Sequence, residues 1–217
     1  MSKIPPTIFY ITGLRLYMYK FVAEVFKGEP SSKLLYGITQ DFFKQYRYEQ
    51  EEENEFMEGY VQMCDFVDTF SEEKELKEIL SREYREIFLE KVHALERHYA
   101  PKKRSEVILK DLREVYAKKS WTIPEDFPKE EDHIAVECEF LTHLLKAMRK
   151  NLLSLNAEES EASFNFQRDF IREHILNWIP SLCSKIASET ENEFYLGASK
   201  MTSGILEMDK ELLTMFY

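Results

Sequence analysis

The stretch EDHIAVECEFLTHLL, residues 131–145, is the part of the sequence that best indicates the fold. Its apolar residues recur every three or four positions, and no Gly or Pro interrupts them, which predicts an amphipathic α-helix. With a rotation of about 100° per residue, one face of this helix carries His133, Val136, Glu137, Phe140, Leu141, Leu144 and Met148. A histidine and a carboxylate therefore lie on the face that we expect to be buried.

The composition predicts a helical architecture for the whole chain. Its 217 residues suffice for one domain or for two close-packed halves, and 44% of them are hydrophobic. Only 6 Gly and 7 Pro are available for tight turns, and neither an alternating strand pattern nor an internal repeat occurs. We therefore predict an all-α bundle of roughly nine to eleven helices.

A proline-containing segment predicts the organisation of this bundle. The sequence WTIPEDFPKEED has two prolines and no helical periodicity, which predicts a linker over residues 121–131. It separates an N-terminal helical half, residues 1–120, from a C-terminal helical half, residues 132–217. We expect the two halves to pack closely as one domain.

The N-terminal half carries further signals for individual helices. Phe42 and Tyr46 extend the second predicted helix, and the acidic run EQEEENE, residues 49–55, is expected to begin the third, where negative charge favours the helix dipole. After Pro101, the basic residues 102–104 interrupt the apolar pattern and predict a loop. Ser105 is then the predicted cap of the next helix.

The net charge of the chain limits the classes of partner that it is expected to bind. The formal net charge is -11 and the sequence pI about 5.1. Nucleic-acid binding requires a basic surface for the phosphates, so we predict no nucleic-acid partner. An acidic surface suits a basic peptide, although net negative charge also serves solubility alone.

Cysteine usage and hydropathy predict the compartment. The three cysteines, Cys64, Cys138 and Cys183, are far apart and lie in helical apolar patterns, which predicts neither a disulfide framework nor a zinc site. No run of about 18 apolar residues predicts a membrane span, and the N-terminus lacks a signal-peptide cleavage pattern. A cytoplasmic protein without membrane insertion is expected.

Three ionisable residues on apolar faces have two interpretations. His133, Glu137 and His174 are each surrounded in sequence by apolar residues at helical spacing. Buried ionisable groups are costly unless they are hydrogen-bonded or neutralised. They are either satisfied polar residues that join helices or parts of one shared functional site.

An enzymatic alternative rests on the spacing Glu-x-x-His. It occurs at Glu90 with His93 and at Glu130 with His133, and two such pairs on facing helices are used by di-iron carboxylate bundles. The sequence contains no Gly-rich phosphate loop, Gly-x-Ser-x-Gly elbow or Cys-x-x-Cys pair. A non-enzymatic binding protein without a cofactor is therefore the main prediction, and a di-iron-like enzyme or a non-catalytic helical scaffold are the alternatives.

Three motifs together resemble the TorD/DmsD/NarJ family of molybdoenzyme maturation chaperones. A family motif of the form D-H-x-x-x-E-x-E-F is matched by Asp132, His133, Glu137, Glu139 and Phe140. The segment FIREHILNWIP is similar to the later family pattern F-x-x-x-H-L-x-x-W-x-P through Phe170, His174, Trp178 and Pro180. The segment EYREIF, residues 83–88, is similar to E-Y-x-x-L-F. Where many relatives continue with a Gly-Pro turn, this chain has the unrelated sequence LEKVHALERHYAPKKRSEVIL.

The resemblance implies a function. Members of this family are expected to be cytoplasmic, all-helical chaperones that bind the twin-arginine signal peptide of a molybdopterin-containing oxidoreductase, its apo-form, or both. They assist cofactor insertion and proofreading before export. The resemblance also implies that Asp132 and His133 take part in client recognition and that protomers are able to form a homodimer by exchanging helices.

A physical expectation for the binding site accompanies the resemblance. A twin-arginine peptide presents two guanidinium groups and an apolar stretch, so its receptor is expected to offer carboxylates beside aromatic side chains. We expect a groove between the two helical halves. The candidate client-binding residues are Asp132, His133, Glu137, Phe140, Tyr84, Phe88, His174 and Trp178. In the alternative interpretation, His133 and Glu137 only join the helices that form the groove.

Overall fold

The computed structural model describes residues 6–40 and 54–215, and within them it contains ten α-helices and no β-strand. The helices are α1 (Pro6–Phe26), α2 (Ser32–Gln40), α3 (Glu55–Asp68), α4 (Glu73–Arg85), α5 (Lys102–Ser105), α6 (Ile108–Lys118), α7 (Ile134–Leu153), α8 (Ala157–Phe170), α9 (Ile179–Glu189) and α10 (Glu193–Met215). The prediction of an all-α bundle is confirmed. In the described ranges, no helix has the length and apolar character needed to cross a membrane.

Two helices end in a wider turn than an α-helix makes. After α4, a π-helical turn spans Glu86–Lys91, and the N–H of Val92 donates to the carbonyl of Ile87 at 2.8 Å. After α8, a π-helical turn spans Ile171–Ile175 and ends in the same way. Such turns are rare and are frequent at functional sites. Both fall within segments that carry the family resemblance.

The helices belong to two compact units. The first comprises Met1–Ala23 and Leu95–Trp178, and the second comprises Glu24–Ala94 and Ile179–Tyr217, as far as these residues are described. The predicted linker, residues 121–131, lies within the first unit. Each unit contains residues from both sides of that linker, and the predicted division of the chain at the linker stays a prediction.

Several details of the N-terminal half differ from the sequence prediction. The loop predicted at residues 102–104 is instead the one-turn helix α5, because the carbonyl of Pro101 accepts hydrogen bonds from the N–H groups of Arg104 and Ser105. Ser105 therefore ends α5 and does not cap the next helix. Phe42, Tyr46 and residues 49–53 of the acidic run lie outside the described residues.

In the second unit, glycines allow α3 and α10 to pack with their backbones close together. A Cβ atom added at Gly59 would lie 2.3 Å from the backbone nitrogen of Met201, and one at Gly204 would lie 2.2 Å from that of Phe56. A Cβ at Gly197 would lie 2.6 Å from the carbonyl oxygen of Gly59. Backbone atoms inside packed helices have no room to withdraw, so this helix pair requires residues without a side chain.

We expect Gly59→Ala to destabilise the protein by about 2 kcal/mol or more, because the added methyl group forces the two helix backbones apart. Gly37→Ala is the matched control, since it lies in α2 with nothing within 4 Å of the added carbon. In a helix this change stabilises by about 1 kcal/mol at most. Denaturant unfolding monitored by circular dichroism measures both effects, and equal midpoints for the two variants would contradict the close packing.

Candidate functional site

The buried start of α7 contains His133, which the sequence predicted as a client-binding residue. Its Nδ1 accepts a hydrogen bond from the N–H of Ala135 at 3.2 Å, so its side chain caps the helix. Accepting this bond requires an unprotonated Nδ1. Burial lowers the pKa of His133 from 6.5 to about 4, which keeps the ring neutral at physiological pH. His133 therefore fixes the point at which α7 begins.

Asp132 connects the start of α7 to a distant segment of the chain. Its Oδ2 accepts a hydrogen bond from the N–H of Arg97 at 3.1 Å and lies 3.4 Å from the Nε of the same residue. Its carbonyl oxygen accepts a bond from the N–H of Glu96 at 2.9 Å. Next to it, Leu95 and His133 form an antiparallel bridge. Burial raises the pKa of Asp132, and the bonds with Arg97 act in the opposite direction.

This connection brings Glu96 to a buried histidine. The Oε2 of Glu96 lies 2.9 Å from the Nδ1 of His174, and both side chains are almost completely buried. An ionised carboxylate only accepts hydrogen bonds, so Nδ1 is the donor when Glu96 is ionised. The Nε2 of His174 is buried and has no hydrogen-bond partner. The hydrogen bond between these side chains joins the short turn Glu96–His98 to the π-helical turn Ile171–Ile175.

Glu137 extends the same polar network to Trp178. The indole Nε1 of Trp178 donates to the Oε2 of Glu137 at 3.0 Å and also to the carbonyl of His174 at 2.6 Å. Complete burial raises the pKa of Glu137 well above its usual value, and the nearby charge of Glu96 raises it further. Both effects disfavour the ionised form of Glu137. The network thus combines a carboxyl group whose ionisation is disfavoured with an indole donor.

Aromatic side chains surround this network. The ring of Phe140 lies 4.6 Å from that of Tyr116, 5.2 Å from that of Trp121 and 4.9 Å from that of Phe170. Tyr116 also donates its O–H to the carbonyl of Glu131 at 2.8 Å. These contacts exclude water from the polar network and account for the raised pKa of its carboxyl groups.

The eight predicted site residues fall into two sets. Six belong to the first unit, and the structure brings them together as buried residues: Asp132, His133, Glu137, Phe140, His174 and Trp178. Tyr84 and Phe88 belong to the second unit, where the Tyr84 O–H donates to the carbonyl of Phe26 at 3.2 Å and the two rings lie 4.8 Å apart. Client binding by any of these residues stays a prediction. The side chain of His133 bonds within the helix that it caps, whereas that of Glu137 connects α7 to Trp178.

The sequence did not reveal two central members of the network. Glu96 and Arg97 lie in the segment HALERHYAP, which has no helical periodicity. Their partners are 78 and 35 residues away in the chain. The signal in the sequence was indirect: His133, Glu137 and His174 lie on apolar faces, and buried polar groups require hydrogen-bond partners.

The residues of the di-iron alternative do not form a metal-binding group. Glu90 and His93 are exposed and belong to the second unit, whereas Glu130 is exposed and His133 is buried in the first. Within residues 6–40 and 54–215, no three His, Cys, Asp or Glu side chains are placed to hold one metal ion. His133 also uses its Nδ1 as a helix cap.

Comparison with known proteins identifies the family. A family model described as nitrate reductase delta subunit matches residues 49–184, which is more than half of the chain. This chain therefore belongs to the nitrate reductase delta subunit family, the group that also includes TorD-like maturation chaperones. The resemblance predicted from the three motifs is confirmed.

Individual relatives agree with this assignment. Chaperone protein TorD of Vibrio atlanticus is 32% identical over 97 residues, which cover 45% of this chain and 44% of the relative. Chaperone protein TorD of Vibrio cholerae serotype O1 is 29% identical over 91 residues, covering 42% and 40%. That of Shewanella piezotolerans is 25% identical over 92 residues, covering 42% and 36%. The matched part of this chain thus spans less than half the length of these relatives. All three relatives are named as chaperones, a non-enzymatic class, which agrees with the prediction of a non-enzymatic protein.

We expect His133→Asn to make the free energy of unfolding less dependent on pH between about pH 4 and pH 6.5. Unfolded histidine takes up a proton below pH 6.5, whereas buried His133 does so only near pH 4, so its stabilising effect is complete above pH 6.5 and is lost as the pH falls through 4. Asparagine keeps the helix cap without titrating. Between these pH values the wild type should lose roughly 3 kcal/mol more than the variant, measured by denaturant unfolding. Superimposable pH profiles would contradict a buried neutral imidazole.

Glu137→Gln should have the opposite pH signature. The raised pKa means that folded Glu137 keeps its proton while the unfolded residue loses it, so the wild type loses stability as the pH rises above 4.5. Glutamine stays neutral and still accepts from Trp178, so the stability difference should favour the variant increasingly with pH. Glu137→Ala is the control: it removes the acceptor and leaves a cavity, so at about pH 4, where Glu137 is largely protonated in both states, it should cost about 2 to 4 kcal/mol, whereas Glu137→Gln should cost much less. A pH-independent difference for Glu137→Gln would argue against a protonated carboxyl.

Proposed function

We propose that this protein is a cytoplasmic chaperone for a molybdopterin-dependent oxidoreductase. It binds the twin-arginine signal peptide of the client, its apo-form, or both, and assists cofactor insertion and proofreading before export or assembly. The family match and the relatives named chaperone protein TorD support this proposal. Helix exchange between two copies, as the family resemblance implies, is part of the same proposal.

The observation that carries the proposal is the buried carboxylate of Asp132 at the start of α7. The carboxylate is fully buried, and its Oδ2 lies 3.4 Å from the Nε of one guanidinium group, that of Arg97. It lies in the motif on which the family resemblance rests. A guanidinium group pairs with a carboxylate more strongly where water is excluded. Recognition of an arginine-containing peptide therefore suits the chemistry of this position.

The surface charge of the chain favours the same partner. A net charge of -11 attracts a cationic signal peptide over distances up to about a Debye length and raises its association rate. This attraction alone does not distinguish arginine from lysine, because both carry one positive charge. Discrimination between the two requires a carboxylate with fixed geometry, such as that of Asp132.

Calorimetric titration tests the proposed function. The purified protein is titrated with twin-arginine signal peptides of molybdoenzymes encoded in the same genome and with the corresponding twin-lysine peptides. We expect one arginine peptide to bind at least about tenfold more tightly than its lysine control, a difference of about 1.4 kcal/mol. Equal affinities would remove signal-peptide recognition from the proposal, and a pull-down with the apo-oxidoreductase would then test binding of the mature part.

Asp132→Asn should weaken binding of the arginine peptide by roughly 10- to 100-fold, since a charge-assisted hydrogen bond contributes about 1.5 to 3 kcal/mol. The substitution keeps the size of the side chain and an acceptor for the N–H of Arg97. Asp111→Asn is the matched control, because Asp111 forms a half-buried ion pair with Arg104 in the same unit. Thermal unfolding verifies that both variants remain folded. Equal losses of affinity in both variants would show only a general effect of charge.

A further inference from the structure

The ion pair between Arg97 and Asp132 is unequal in its exposure. The side chain of Asp132 is 0% exposed, whereas that of Arg97 is 30% exposed. Arg97 lies within the short helical turn Glu96–His98, which the carbonyl of Asp132 holds through the N–H of Glu96. The N–H of Arg97 also donates to Oδ2 of Asp132. These backbone bonds do not involve the guanidinium group, so the partly exposed side chain of Arg97 is the part of the residue that a competing ligand would displace.

The contact itself is incomplete. Nε of Arg97 lies 3.4 Å from Oδ2 of Asp132, which is longer than the roughly 2.7 to 2.9 Å of a good charge-assisted hydrogen bond. The second carboxylate oxygen, Oδ1, is buried and accepts no hydrogen bond. A guanidinium group that approached both oxygens in the forked geometry would satisfy this acceptor. The carboxylate of Asp132 thus accepts fewer hydrogen bonds from the guanidinium group of Arg97 than a forked pair would provide.

Neighbouring ion pairs of the same unit are tighter although they are more exposed. Nε of Arg113 lies 2.6 Å from Oε1 of Glu131, and Nη1 of Arg104 lies 2.8 Å from Oδ2 of Asp111. Burial makes good geometry more important for an ion pair, because both groups lose their hydration. Among these three ion pairs, the pair of Arg97 with Asp132 therefore has the longest contact, although its carboxylate has lost the most hydration.

We propose that Asp132 is a guanidinium-binding site and that Arg97 is its internal occupant in the free protein. An external arginine side chain displaces Arg97, engages both carboxylate oxygens and releases the guanidinium group of Arg97 to solvent. Identification of this external ligand as an arginine of the client rests on the proposed function. The existence of the site rests on the geometry of Asp132 and Arg97 alone.

The internal occupant lowers the apparent affinity for the external one. If the site is free in only a fraction of the molecules, the apparent Kd rises by the inverse of that fraction. Removal of Arg97 therefore increases affinity for an arginine ligand, although it deletes a contact made in the folded protein. A purely architectural role of Arg97 predicts the opposite sign, because loss of the pair disturbs the start of α7.

A rescue experiment tests the site without any client peptide. Thermal unfolding of Arg97→Ala is measured with millimolar ethylguanidinium or ethylammonium, in parallel with wild type and Arg113→Ala. Arg113→Ala removes the same charge from an exposed pair with the adjacent carboxylate of Glu131. We expect ethylguanidinium to raise the Tm of Arg97→Ala by about 2 °C or more, as specific binding of a small ligand requires, and to leave the other two unchanged. The same response in all three proteins would overturn the site.

Peptide titration tests the displacement. The twin-arginine peptide should bind Arg97→Ala about tenfold more tightly than wild type if the internal occupant fills the site nine-tenths of the time. Arg113→Ala should bind like wild type, which excludes a general effect of the lost charge. Unchanged or weaker binding to Arg97→Ala would refute displacement. If Arg97→Ala does not fold, Arg97→Lys keeps a positive charge at Asp132 without the forked donor, and the same gain is expected.

Failure of this inference is distinguishable from failure of the proposed function. Rescue by ethylguanidinium without peptide binding to any variant supports the site and overturns the client assignment. Peptide binding to wild type without rescue, and without a gain for Arg97→Ala, supports the proposed function and overturns the internal occupant.

Discussion

The attachment of the segment around Arg97 to the start of α7 is the constraint on which the polar network of the first unit depends. Asp132 makes this attachment with its carbonyl and its carboxylate, and His133 fixes the first turn of the helix that follows. The attachment sets the position of Glu96, whose carboxylate then reaches His174. Without it, the two ionisable groups of that pair would be buried without partners, a cost of several kcal/mol.

The network shows how burial shifts the pKa values of basic and acidic groups in opposite directions. It lowers the pKa of His133 to about 4, because the buried imidazolium form is disfavoured. It raises the pKa of Glu137, because the buried carboxylate form is disfavoured. Asp132 differs, since the bonds with Arg97 oppose the effect of burial. Both the backbone N–H and the guanidinium group of Arg97 therefore favour the ionised form of Asp132, against the effect of burial.

Local patterns in the sequence predicted the helices well, whereas the partners of the buried polar residues were not predictable. The apolar spacing of residues 131–145 predicted α7 and the buried positions of His133 and Glu137, because both follow from helical geometry alone. Glu96 was missed because its partner is distant in sequence and its own segment is irregular. The π-helical turns were also missed, since one additional residue per turn leaves almost no trace in an apolar pattern. Tyr84 and Phe88 could not be assigned to a separate unit, because each unit is assembled from two distant stretches of chain.

The glycine contact between α3 and α10 has a consequence for synthesis of the chain. A ribosome produces α3 long before Gly197 and Gly204 emerge, so the surface of α3 that meets their backbone atoms has no partner until α10 has been synthesised. Residues Leu95–Trp178 of the first unit are synthesised between the two parts of the second unit. A protein of the chaperone family would in this way expose a helix surface of its own during that interval, and its folding would be limited by a contact between distant parts of the chain.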